Sequence, residues 1–294
     1  MNFFKTSIGI GKTIRNVSRF RDILSVFARH GFDEFIVKSK LDSFIPNFVI
    51  PKSRLKQRED LSEYDFWKSV GYRLRKSFEE LGPSFVKLGQ LLSTREDLFN
   101  PALIKELKQL QDNVKPIKFS EAKEVIEKSL GRPIEDVFET IDETPIGVAS
   151  IGVVYKASLK TGEKVVVKVQ RPNIKKIILT DFEIIEFIVG NIESIFKEVR
   201  FLGISRAIDD FFKNINLELN FLIEAKNGQK LKENLKKIDH DELLVIPDFY
   251  EDISSEKMLV MEFLDGKPFK DITSMEEVGE LKDGLFKAVN LFLH

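Results

Sequence analysis

With 294 residues, 43% of them hydrophobic and 32% charged, the chain holds apolar material for one large or two ordinary globular domains, which excludes disorder. Its 46 basic and 47 acidic residues leave a formal charge of −1, so no global field draws it to nucleic acid. Without a single cysteine it has no disulfide, no thiolate chemistry and no cysteine-held metal, and three scattered histidines build no metal site. No apolar run reaches the roughly 20 residues of a membrane-spanning helix, and a cytoplasmic setting is expected.

Charge is uneven along the chain. Residues 1–40 carry Lys5, Lys12, Arg15, Arg19, Arg21, Arg29, Lys38 and Lys40 against Asp22, Asp33 and Glu34. Ile10, Ile14, Val17, Leu24 and Phe27 recur among them at mostly helical spacing, which predicts a basic amphipathic helix. Such a helix either packs on its own domain or lies peripherally on an anionic membrane surface. Gly9-Ile10-Gly11-Lys12-Thr13 looks like the end of a phosphate-binding loop, but Thr6 stands where the leading glycine belongs and no strand precedes it. Pro46 to Leu61 is largely polar and predicts a linker, so residues 1–60 form a first segment.

Residues 61–140 predict a mostly helical segment. Trp67, Val70, Leu74 and Phe78 keep a helical beat from Tyr64 to Glu80, Gly82-Pro83 ends that helix and begins another, and Asn100-Pro101 punctuates again. A further helix is expected from Ser120 to Leu130, closed by Gly131, with Ser120 and Asp136 as candidate N-caps. From 141 to 264 the texture changes. Gly147 and Gly152 flank small residues, Val153–Leu159 predicts a strand, Thr161-Gly162 a turn, and Val165–Val169 a second strand. One long helix is expected over about 206–236, then a strand pair at Leu243–Phe249 and Lys257–Leu264. Leu281, Leu285, Ala288, Val289 and Phe292 mark a last helix.

Two residues stand out for chemistry. Lys168 is the one cation in a five-residue strand whose other members are valine, so it either faces solvent or meets an acid, because an unpaired buried ammonium costs several kcal/mol. Glu224 is the single charge on the apolar stripe Leu217, Phe221, Gly228 and Leu231. A small-residue loop, a strand lysine and a helix glutamate in that order match the arrangement in which protein kinases hold nucleotide phosphates.

The segment from Leu81 to Arg95, LGPSFVKLGQLLSTR, resembles the lysine-x-glycine-glutamine signature of the UbiB family, atypical protein-kinase-like proteins linked to isoprenoid quinone synthesis. Ala149-Ser150-Ile151-Gly152 resembles that family's alanine-rich loop, VVVKVQRP (165–172) its lysine strand, LELNFLIEAKN (217–227) its glutamate helix, and VMEFLDGKP (260–268) its hinge. The resemblance implies an α+β fold: a protein-kinase-like N-lobe with a small antiparallel sheet, an N-terminal helical extension, and a hinge and opening of a C-lobe over 265–294.

It further implies ATP as cofactor, held by Lys168, Glu224, Ala149, Ser150 and Ile151, with Glu218, Asn220 and the hinge residue Glu262 beside it. Lys87 and Gln90, three apart on one helical face, would line a pocket for an isoprenoid lipid or quinone precursor. Quinone-biosynthesis proteins are the implied partners, while the basic N-terminal helix makes a membrane surface a further candidate and the charge balance leaves nucleic acid out. The implied function is phosphoryl transfer or ATP hydrolysis in ubiquinone biosynthesis; the alternatives are a nucleotide-binding scaffold and a lipid-binding helper. Departures are visible. Gly147-Val148-Ala149 replaces consecutive alanines, Asn220 stands where a second acid is usual, and Val153 and Tyr155 replace glutamine and histidine. No His-x-Asp-x-His loop and no Asp-Phe-Gly occur, so the catalytic base and the magnesium ligands are expected beyond residue 294.

Overall fold

The computed structural model describes residues 16–44, 62–110, 116–195, 203–239, 243–267, 271–272 and 274–293. Lys5, Lys12, Arg15, the Gly9–Thr13 stretch and the linker expected at Pro46–Leu61 lie outside them. The chain forms two compact units, each discontinuous in sequence: Met1–Val114 with Asn173–Ile215, and Lys115–Pro172 with Asn216–His294.

The first unit is helical. Helix α1 (Val17–Phe27) starts where the Asn16 side chain accepts the Arg19 N–H at 3.0 Å. Its Phe20, Ile23 and Leu24 are buried, and the Phe20 ring meets the edges of Phe44 and Phe187. Val26 is buried with them, while Val17 of the same helix is exposed. A turn at Gly31, with φ 87°, leads into α2 (Asp33–Lys38).

Helix α3 (Glu63–Leu81) is capped by Ser62, and α4 (Pro83–Leu92) begins at Gly82, whose φ of 100° turns the chain between them. Helix α5 (Pro101–Leu107) is capped by Asn100. These three follow the predicted boundaries, because proline, glycine and a capping side chain act locally.

The second unit opens with α6 (Phe119–Leu130), ended by Gly131 at φ 68°. Neither Ser120 nor Asp136 is an N-cap: the helix starts after Lys118, whose N–H the Glu121 carboxylate accepts, and Asp136 ends a short turn before β1 (Phe138–Ile141). Strands β2 (Gly147–Val148), β3 (Gly152–Leu159) and β4 (Lys164–Gln170) follow, β3 and β4 forming the expected hairpin. Next come α7 (Ile174–Ile195) and α8 (Ile204–Glu218), which return to the first unit as far as Ile215, then α9 (Phe221–Leu235), β5 (Met258–Glu262) and α10 (Met275–Leu293).

The sheet is antiparallel in the order β1-β3-β4-β5, with β2 also on β3. Strand alternation sends Val165, Val167 and Val169 into one core with Val153, Tyr155, Val260 and, from α6, Ala122 and Ile126. Val166, Lys168 and Gln170 therefore share the opposite face.

Two expectations are corrected. The single helix over 206–236 is two helices, because Asn220 is extended and its side chain caps α9 by accepting the Leu222 N–H at 3.1 Å. Only one strand of the pair after residue 243 forms. Asp239 takes the Leu243 and Leu244 N–H groups at 3.0 and 2.8 Å and Pro247 has none, so that stretch contributes a lone bridge from Phe249 to Met261.

Candidate functional site

The pairing of β3 with β4 places Lys168 opposite Val154 and Gln170 opposite Gly152, the residue that ends the Ala149–Ile151 loop. The hairpin thus puts the strand lysine next to that loop without any long-range contact. On its other side Lys168 faces Leu259 of β5. Its ammonium lies 2.7 Å from both Oε1 and Oε2 of Glu224 and 4.8 Å from the centroid of the Phe221 ring. Both partners come from α9, one turn apart, so this helix supplies the acid and the aromatic platform together.

The pair is less enclosed than two isolated charges among apolar neighbours suggested. The Lys168 side chain is 20% exposed and that of Glu224 is 42% exposed, since Glu224 sits at the edge of the apolar stripe. Leu217, counted on that stripe, belongs to α8 and is exposed.

The loop is tightly held. The Ala149 N–H donates to the Gly152 carbonyl at 2.8 Å, the Arg171 N–H to Ile151 at 3.0 Å, and Arg171 Nε to Ala149 at 3.1 Å. Burial holds the Arg171 guanidinium below its ordinary pKa and pushes the Tyr155 phenol above its own. Among the described residues the Ser150 and Ile151 N–H groups find no acceptor, and the buried Ser150 hydroxyl has no partner. Consecutive unsatisfied amides with a free hydroxyl suit an anion. Gly152 leaves room for Phe221: a Cβ there would lie 3.3 Å from the ring and 3.0 Å from the Val169 carbonyl.

The remaining expected residues have local tasks. Asn220 caps α9, and Glu218 ends α8. The Glu262 carboxylate accepts the Asp248 N–H at 3.1 Å, and with Glu163 and Asp248 it adds to the effect of burial in raising the Tyr250 pKa. Lys87 and Gln90 are half-buried on α4 in the first unit, where Gln90 Nε2 lies 3.4 Å from the Leu110 carbonyl. Gly89 between them is a packing glycine, since a Cβ would fall 2.2 Å from Leu110 Cδ1 and 2.6 Å from Phe78 Cδ2. Among the described residues no three His, Cys, Asp or Glu side chains are grouped to hold a metal ion, and no helix is long and apolar enough to cross a membrane.

The sequence assigns Gln170 and Arg171 no site role, and Phe221 only a place on the apolar stripe. The alternation that put Lys168 on its face also put Gln170 there, which was the available signal.

An antiparallel sheet whose central strand presents a lysine to a helix glutamate, beside a small-residue loop, defines the small lobe of a protein-kinase-like fold. The model of the ABC1 atypical kinase-like domain matches residues 109–293. The chain belongs to the ABC1 atypical kinase-like family. It is 37% identical over 265 residues to "Probable protein kinase UbiB" of Erwinia tasmaniensis, covering 87% of this chain and 46% of that protein. A protein of the same description from Marinobacter nauticus is 36% identical, with 90% and 46% covered. The chain spans about half the length of the curated relatives it matches. A solved structure described as a complex of Rv3197 with erythromycin, from Mycobacterium tuberculosis, superposes with a TM-score of 0.47 at 23% identity, covering 70% of this chain and 51% of that one.

Proposed function

We propose that this segment is the nucleotide-holding lobe of an atypical kinase or ATPase acting in ubiquinone biosynthesis. The observation that carries the proposal is the Lys168–Glu224 pair on the strand that borders the Ala149–Ile151 loop. Glu224 fixes the ammonium so that it presents a point charge to phosphate oxygens, while the Ser150 and Ile151 amides and the Ser150 hydroxyl offer further donors. ATP, when bound, supplies the transferable phosphoryl group. These residues fit it.

No set of magnesium ligands is grouped among the described residues, and we assign that set, with the catalytic base, to the other half of the relatives' length. Glu218, Asn220 and Glu262 stay in the proposal as neighbours of the nucleotide by resemblance. So do Lys87 and Gln90 as contacts for an isoprenoid lipid or quinone precursor. Peripheral attachment to a membrane and assembly with quinone-biosynthesis proteins complete the reading. The basic excess over residues 1–40, less Arg19, which Asp181 holds, supports the former.

Calorimetric titration of the 294-residue chain with ATP tests the central claim. Lys168→Met is expected to weaken binding at least about tenfold, a loss of about 1.4 kcal/mol. Equal affinity in parent and variant overturns it. Binding without turnover is expected of this segment, whose sequence has no His-x-Asp-x-His loop.

A further inference from the structure

At the end of β4, two residues beyond Lys168, the side chain of Gln170 is buried, at 3% exposure. Its Nε2 donates to the Leu219 carbonyl at 2.6 Å and to the Glu256 carbonyl at 3.1 Å, and its own N–H donates to Lys257 at 2.9 Å. Leu219 is the residue between α8 and the Asn220 cap of α9. Glu256 also accepts the Phe221 N–H at 3.0 Å. One buried amide therefore binds the chain entering α9, the turn before β5 and the strand that carries Lys168.

This arrangement has consequences for Glu224. Helix α9 starts from an extended residue, Asn220 at φ −123° and ψ 98°, so continuity with α8 does not orient it. The packing of Phe221 against Gly152 is apolar and sets no direction by itself, while Gly228 against the Phe249 ring and the Lys232–Asp248 pair hold α9 further along. Hydrogen bonds are directional, and one proton of the Gln170 amide holds the Leu219 carbonyl just before the cap of α9 while the other holds the Glu256 carbonyl, which in turn accepts the Phe221 N–H. Glu224 follows Phe221 by less than one turn, so what fixes the start of the helix fixes the point from which the Glu224 side chain reaches Lys168.

We infer that Gln170 is a positioning residue that holds Glu224 against Lys168, so that the ion pair is already formed without a ligand. The functional meaning of this rests on the nucleotide-site reading, but its geometry does not. Neighbouring Arg171 ties down the loop as Gln170 ties down the helix, so two adjacent residues after the lysine set the other two parts of the site.

The test is a double-mutant cycle of Lys168→Met and Glu224→Gln on urea unfolding of the full chain without nucleotide, run in the parent and in Gln170→Met. A merely structural glutamine would lower stability and leave the coupling between lysine and glutamate intact. Ile126→Ala, in the core on the other face of the sheet, controls for such a loss and should leave the coupling unchanged. Gln170→Met should cut the coupling by at least half. If it does not fold, Gln170→Asn, one methylene too short to reach both carbonyls, should give the same loss. Undiminished coupling in the folded variant overturns the inference, as does no coupling in the parent. ATP affinity of the same proteins separates the two claims. Undiminished coupling with ATP binding that depends on Lys168 removes the role of Gln170 alone, whereas halved coupling without ATP binding keeps it and removes the nucleotide reading.

Discussion

Lys168 and Glu224, 56 positions apart in the chain, meet with the ammonium 2.7 Å from each carboxylate oxygen. Taken from sequence, each is a lone charge amid apolar neighbours, and a fully buried pair broken from one side loses about 3–5 kcal/mol. Glu224 at 42% exposure changes that balance, because water screens the pair and solvates whichever partner is left. Glu224→Gln is expected to cost no more than about 1 kcal/mol in stability while weakening ATP binding, since the freed lysine is no longer aimed. Urea unfolding and calorimetry on the same variant check both halves, and a stability loss near 3 kcal/mol would show the pair to be shielded from water.

The first unit contains a pair for which the larger figure applies. Asp181 of α7 is 1% exposed and is gripped by Arg19 of α1, Nε to Oδ1 at 2.7 Å and a terminal nitrogen to Oδ2 at 3.0 Å. The same terminal nitrogen donates to the Leu81 carbonyl at 2.8 Å. Arg19→Met would leave a buried carboxylate without its counter-charge and a carbonyl without its donor. A loss of about 3 kcal/mol or more is expected, well above that of Glu224→Gln. Thermal unfolding of the two variants side by side decides the order, and equal losses would refute the argument from burial.

How much of this was legible depended on range. The β3–β4 hairpin follows from a β-branched run and Thr161-Gly162, and the boundaries of α3, α4 and α5 follow from proline, glycine and caps, all of which act within a few residues. The lysine and the glutamate were visible because each breaks an apolar pattern. The break between α8 and α9 was not, for part of its cause is the Gln170 amide 49 positions earlier capturing the Leu219 carbonyl. Leu243–Phe249 has the apolar content of a strand, but Asp239 takes two of its N–H groups, a competition that no periodicity shows. Arg19 counts toward a membrane-facing charge in the sequence, whereas its partner Asp181 lies 162 positions away.

Gly89, inside the lysine-x-glycine-glutamine stretch, sets helix propensity against packing. Alanine favours a helix over glycine by about 1 kcal/mol. Its methyl group would lie 2.6 Å from Phe78 Cδ2, and Phe78 is wedged against Phe27 and Phe85 at ring separations of 6.4 and 5.8 Å, so it has little room to withdraw. Overpacking at such a site costs about 1–3 kcal/mol, so Gly89→Ala is expected to destabilise the first unit on balance. A raised melting temperature in the variant would show that α4 shifts to admit the methyl.

Tyr155 gives the opposite sign from a typical core truncation. Its ring is fully buried against Phe119, yet among the described residues its hydroxyl has no hydrogen-bond partner. Removing a buried, unsatisfied hydroxyl relieves its desolvation cost, so Tyr155→Phe is expected to stabilise the second unit by about 1 kcal/mol at neutral pH. Burial, the largest influence, pushes the phenol above its ordinary 10.0, with Glu121 adding and Arg171 opposing. Because the folded pKa exceeds the unfolded one, this contribution is fully present below the unfolded pKa and is lost as pH rises from about 10 through the folded value. Phenylalanine has no such loss, so the advantage of the variant should widen between about pH 9 and pH 11. Urea unfolding of both proteins across that range measures the gap. A variant less stable by about 1 kcal/mol at pH 7 would mean that an ordered water satisfies the hydroxyl, and a gap constant with pH would mean that the phenol ionises equally in both states.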